Sequence, residues 1–114
     1  MAKASVADRL RHILEEIRLL RSFDPPRSDV KDRDKMIRRA MERSLEIISE
    51  ASRHVPAELK AAHPDIPWRS IADIGNVLRH GYDQIAEHRI RAVVERDLES
   101  LETAVREMLT RVSG

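Results

Sequence analysis

Cysteine is absent from the 114 residues, which removes disulfides, thiol nucleophiles and cysteine–zinc sites at once. Phe, Trp and Tyr occur once each, so the aromatics that favour sheets are scarce, and glycine, which weakens helix interiors, occurs only three times. So few aromatics would suit a disordered chain, but the apolar residues recur with regular spacing, and that excludes disorder. No run approaches the ~18 apolar residues of a membrane span. No charge of one sign dominates: 21 basic and 20 acidic residues leave a formal net charge of +1, which is not the footprint of a polybasic nucleic-acid or membrane binder. The opening Met1-Ala2-Lys3-Ala4-Ser5 leads directly into a charged amphipathic segment. No secretory leader is therefore expected, and the cytoplasm is the expected location.

Leu, Ile, Val and Ala supply most of the 41% hydrophobic content, and 36% of residues are charged. This is the palette of helices. The length suits a single domain over residues 1–114. A chain this short buries only about two-thirds of its unfolded surface, so a deep active site is easier to build between two copies than within one. Arginines outnumber lysines by 17 to four. Guanidinium groups pair bidentately with carboxylate and phosphate, which leaves local phosphate sites open, although most arginines in such a chain belong to solvated helix faces.

Spacing predicts a first helix over Ser5–Arg21, with Ser5 as N-cap and Val6, Leu10, Ile13, Ile17 and Leu20 in one stripe. Asp24-Pro25-Pro26 ends it. After a charged linker, Arg27 to Asp32, a second helix is expected over Asp32–His54, with Ile37, Ala40, Met41, Leu45, Ile48 and Ala51 facing inward. A short helix follows over Pro56–Ala62, then a turn, His63-Pro64-Asp65-Ile66-Pro67. Pro67 suits the start of a helix from Trp68 to His80, and Gly81 stands where a helix C′ residue belongs. A last, long helix is expected over Gln84–Val112, with Ile90, Val94, Leu98, Leu101, Val105, Met108 and Val112 in its stripe. Its length suggests packing beyond a single chain.

The Trp68–His80 helix is unlike the others. At about 100° per residue, Ile71, Ile74 and Leu78 share one face and Arg69, Asp73, Asn76 and His80 the opposite one. Four different functional groups make that polar stripe. The plain reading is a solvated surface with an Arg69–Asp73 pair one turn apart. The functional reading is phosphodiester chemistry: histidine serves as acid or base, and an arginine steadies developing charge. The five histidines, His12, His54, His63, His80 and His88, include no pair at i, i+3 or i, i+4, so no metal site is expected, nor any cofactor. Trp68 reads as a core anchor, and Met36, Met41 and Met108 read as packing. No glycine cluster surrounds Gly75, so it is not part of a phosphate loop.

The run Ile66-Pro67-Trp68-Arg69-Ser70-Ile71-Ala72-Asp73-Ile74-Gly75-Asn76-Val77-Leu78-Arg79-His80-Gly81-Tyr82 resembles the HepT-like family of the HEPN superfamily. That family's signature is a Pro-Trp helix followed by Arg-Asn-x-x-x-His-x-Tyr. Arg39-Ala40, Leu45-Glu46-Ile47-Ile48-Ser49-Glu50-Ala51 and the opening Asp8-Arg9-Leu10-Arg11-His12-Ile13-Leu14 extend the likeness over nearly the whole chain. The resemblance implies an all-α, antiparallel bundle of about four long helices plus a short one, dimerising so that two motifs meet in a cleft. It implies a metal-independent ribonuclease, the toxin of a type II toxin–antitoxin pair. It also implies an RNA substrate and a small nucleotidyltransferase-type antitoxin that in some pairs adenylylates the motif tyrosine. On this chain the motif maps to Asn76, the catalytic His80 and the modified Tyr82.

One position departs from the pattern. The motif arginine belongs five residues before the histidine, where this chain has Gly75. Arg79, next to His80, is the expected substitute. Arg69 lies on the polar face but about 16 Å along the helix from His80 at ~1.5 Å per residue, which suits RNA binding rather than catalysis. Two functions lead: a ribonuclease toxin, supported by His80 and Tyr82, and an interaction module that binds a nucleotidyltransferase without cutting, supported by Gly75; a plain helical dimer for scaffolding is a weaker third.

Overall fold

The computed structural model describes residues 5–22, 31–80 and 83–113. All regular structure in them is helical: α1 (Val6–Ser22), α2 (Lys31–Arg53), the short α3 (Ala57–Ala61), α4 (Trp68–His80), α5 (Asp83–Ala92), a π-helical turn (Val93–Asp97) and α6 (Leu98–Ser113). Each boundary falls within one residue of the sequence expectation, because caps and prolines are local signals. Ser5 Oγ accepts a hydrogen bond from the Asp8 amide at 3.1 Å, and the Asp8 carboxylate accepts one from the Ser5 amide at 3.3 Å. This reciprocal pair satisfies donors that the first turn of α1 leaves open, and the backbone bond holds the Asp8 carboxyl below its ordinary value. The Arg27 to Asp32 linker lies largely outside the described residues, as does Gly81.

α1 packs on α2 and α6, and α2 packs in turn on α4. Leu10, Ile13, Ile17 and Leu20 of α1 are all buried, as their spacing requires. The inner face of α2 is more polar than its apolar stripe suggested: beside Leu45, Ile48 and Ala51 it buries Ser44, Ser49 and Ser52. Small side chains there let a neighbouring helix approach closely. Met36 is 68% exposed and is not a packing residue, whereas Met108 is fully buried and Met41 packs against the core.

The last long helix is not uniform. Regular spacing placed Val94 inward, and it does pack half-buried against the core, but Val93 is the more deeply buried residue, followed by Leu98 and Leu101. A step of five between Val93 and Leu98 matches one π turn, whose bonds span i to i+5. The turn absorbs one extra residue and keeps both α5 and α6 facing the core. Val112, expected in the stripe, is 40% exposed. Glu102 of α6 accepts from Arg21 of α1 at 2.6 Å and from Arg106 at 3.3 Å, tying the first and last helices together. No helix among the described residues is long and apolar enough to cross a membrane.

Candidate functional site

Everything at the site is carried by α4, so the side chains that hold α4 come first. Trp68 opens the helix. Its indole Nε1–H is shared between the carbonyls of His63 (3.0 Å) and Lys60 (3.2 Å). The Lys60 ammonium lies 5.8 Å from the ring centroid, and burial lowers the Lys60 pKa. With its ring half-buried and its donor engaged, Trp68 pins the start of α4 to α3, as an anchor does. Further along, Arg89 of α5 reaches back to the carbonyl and the hydroxyl of Ser70, joining α5 to the outer side of α4.

The inner face of α4 buries Ile71 and Ile74 and half-buries Leu78, while Arg69, Asp73, Asn76 and His80 are all exposed on the other side. Arg79 is exposed too. Among the described residues, none of these five polar side chains has a hydrogen bond or ion pair, so the Arg69–Asp73 pair of the plain reading is not formed. Asn76, Arg79 and His80 sit within the last turn and a half of α4. Arg69 stays at the far end, so the helix does not bring it to His80. Tyr82 lies outside the described residues.

Gly75 is buried, and it faces α2 rather than the exposed stripe. Its amide donates to Ser49 Oγ at 3.2 Å, while Ser49 Oγ donates to the Ala72 carbonyl at 2.8 Å. A Cβ at position 75 would stand 3.6 Å from Ser49 Oγ. That is an ordinary contact distance, so the space at position 75 does not itself demand a glycine, and α4 is regular there. Arg79 follows Gly75 by four residues, about 40° around the helix. It lies on nearly the same side but one turn further on, where it is exposed.

Sequence reasoning missed Arg53. From the last turn of α2 its Nε and Nη2 both donate to the Ala72 carbonyl, at 3.0 and 2.7 Å. The guanidinium and α4 together frame an open groove lined by Arg53, Trp68, Arg69, Ser70, Ala72 and Asp73. Nothing in the spacing of α2 marks Arg53, which sits at a helix end where an arginine is ordinary. Among the described residues no group of three or more His, Asp or Glu side chains is placed to hold a metal ion.

Comparison with known proteins bears on this helix directly. The family model for HepT-like ribonucleases matches residues 13–108, which include all of α2, α3, α4 and α5. The chain belongs to the HepT-like ribonuclease family. Within that family it is 40% identical over 68 residues to "Probable ribonuclease HepT" of Thermococcus cleftensis, a match covering 60% of this chain and 62% of that protein. It is 34% identical over 79 residues to "Putative RNase TTE0752" of Caldanaerobacter subterraneus subsp. tengcongensis, covering 69% and 70% of the two chains. The matched part thus spans between six- and seven-tenths of these relatives. No solved structure matches the chain significantly.

Proposed function

We propose that this chain is the toxin of a type II toxin–antitoxin pair: a metal-independent endoribonuclease whose working site is a cleft shared by two copies. The observation that carries the reading is the cluster of Asn76, Arg79 and His80 at the end of α4. All three are exposed and unengaged by other described residues, in a chain of a family whose relatives bear ribonuclease names. In the proposed reaction the 2′-hydroxyl oxygen of a ribose attacks the adjacent phosphorus, and the bond to the 5′-oxygen of the next nucleotide breaks. A cyclic phosphate and a free 5′-hydroxyl result. His80 takes the proton of the attacking hydroxyl or supplies one to the leaving oxygen, and two copies facing each other provide both roles. Arg79 supplies positive charge to the phosphate oxygens as their charge grows, the role that position 75 does not fill. Asn76 can donate and accept beside them.

The proposed partner is a nucleotidyltransferase-type antitoxin. Transfer of a nucleotide to Tyr82, two residues beyond His80, would place bulk and negative charge where RNA phosphate must sit. A second reading is favoured by one observation, the buried glycine at the motif-arginine position: a weak or inactive domain that only binds the nucleotidyltransferase. The test is cleavage of RNA by the purified chain with a chelator present, in wild type and His80→Ala. Cutting by wild type that vanishes in His80→Ala supports the enzyme. An intact RNA in both, with retained binding of the partner, selects the interaction module. Light scattering that finds only a monomer at micromolar concentration would remove the shared cleft.

A further inference from the structure

The family signature accounts for the His80 end of α4 and leaves the other end, where Arg53 arrives from α2, without a role. Two features there are unusual together. First, Arg53 is held in place. Its Nε and Nη2 both bond the Ala72 carbonyl, so its guanidinium is docked on α4 although the residue is exposed. Nη1 makes no hydrogen bond among the described residues, although the Arg53 charge also acts on the Glu50 carboxylate. An arginine fixed by one edge loses less side-chain freedom when the other edge takes a ligand. Second, Arg69 lines the same groove, exposed and without an ion-pair partner among the described residues, although Asp73 lies one turn away on the same face. Two guanidinium groups thus border a single open groove at the Trp68 end of α4, and Asn76 and His80 are exposed further along the same helix face.

We infer that Arg53 and Arg69 form a phosphate-binding subsite that holds the backbone of single-stranded RNA about 12–16 Å from His80, a span set by α4 at ~1.5 Å per residue. The inference rests on the ribonuclease reading and extends it: the RNA lies along α4, gripped at the Trp68 end and cut at the other. Asp73 lines the same groove, and its carboxylate repels a phosphate laid upon it. The backbone therefore lies toward the Arg53 and Arg69 guanidinium groups, leaving Asp73 free to accept from a ribose hydroxyl. Arg53 and Arg69 do not touch the reacting atoms, so their contribution is to binding.

The experiment uses the full chain and a fluorescein-labelled single-stranded RNA, read by anisotropy over a series of salt concentrations. The binding host is His80→Ala, which leaves the probe intact. On that host, Arg69→Gln and Arg53→Gln should each weaken binding several-fold and lower the slope of log affinity against log salt by about one. Arg53→Lys, which keeps the charge but has no second edge to offer once it bonds the Ala72 carbonyl, should preserve the salt slope while recovering only part of the affinity. With His80 present, the same changes should act on KM far more than on kcat. Arg69 has no partner among the described residues to lose, so Arg69→Gln remains informative even if Arg53→Gln loosens the α2–α4 contact. Wild type that cleaves, together with Arg53 and Arg69 variants that bind with unchanged affinity and salt slope, would overturn the subsite while leaving the ribonuclease reading intact. Absence of both binding and cleavage in wild type would overturn both. Loss of nucleotidyltransferase binding in the variants with RNA binding unchanged would make the groove a protein-docking face and also overturn the proposal.

Discussion

The hydroxyl of Ser49 lies 3.2 Å from the amide of Gly75, and it is the contact around which α2 and α4 close. The same oxygen donates to the Ala72 carbonyl at 2.8 Å, so one buried serine on α2 bonds two backbone groups within a single turn of α4. Ser52 stands behind it, donating to the Ser49 carbonyl at 2.7 Å.

Gly75 should not be required by its own backbone. Its φ is not positive, and a Cβ would meet Ser49 Oγ at an ordinary 3.6 Å. Gly75→Ala is expected to stabilise the chain by about 0.5–1 kcal/mol, the helix-propensity difference. Gly75→Arg, which restores the motif residue, starts its long side chain against α2 and should cost about 1–3 kcal/mol by overpacking. Urea unfolding of the three proteins checks both signs.

Removing the Ser49 hydroxyl should cost about 1 kcal/mol, a typical net hydrogen-bond contribution. The loss should couple to the glycine. In a cycle of Ser49→Ala with Gly75→Ala, the double variant should differ from the sum of the singles by roughly 0.5 kcal/mol or more, as for residues in contact. Strict additivity in chemical denaturation would show that the Ser49 side chain and a Cβ at position 75 do not influence each other, whereas the bond itself is read from Ser49→Ala alone.

Acid should loosen the join between α1 and α6. The hydrogen bond from Arg21 to Glu102, helped by the one from Arg106, holds the Glu102 carboxyl below its ordinary 4.5. The folded state therefore binds fewer protons than the unfolded chain below that value. The stabilisation is complete above pH 4.5 and is lost as pH falls through the depressed folded value. Glu50 is lowered as well, first by its bond to His54. Glu102→Gln should be less stable than wild type near neutrality and lose less on acidification. Melting temperatures measured across that window test it.

At the proposed catalytic end, Arg79→Ala should lower RNA cleavage on the order of 100-fold if its guanidinium stabilises the transition state. Its melting temperature should not change, since the side chain is exposed. His80→Ala should abolish cutting, also without a loss of stability. Full cleavage by Arg79→Ala beside an inactive His80→Ala would assign the cation to another residue.

The helices and the polar stripe of α4 were legible in the sequence because both follow from local chemistry. Apolar spacing, an N-cap serine and the placement of prolines bound each helix. The Trp68–His80 pattern put Ile71 and Ile74 inside and Arg69, Asp73, Asn76 and His80 outside. The tertiary structure alone decided the partners. Ser49 meets Gly75 across 26 positions and Arg53 meets Ala72 across 19, and no periodicity within one helix encodes which turn of another will lie against it. For the same reason the π turn escaped notice. Whether Val93 or Val94 is the more deeply buried depends on the surface that α5 and α6 must both fit, and that surface exists only once the bundle has assembled. Gly75 joins the two levels: the resemblance to the family implies an arginine there, and packing shows it as the point where α2 comes close enough for a serine to bond the backbone of α4.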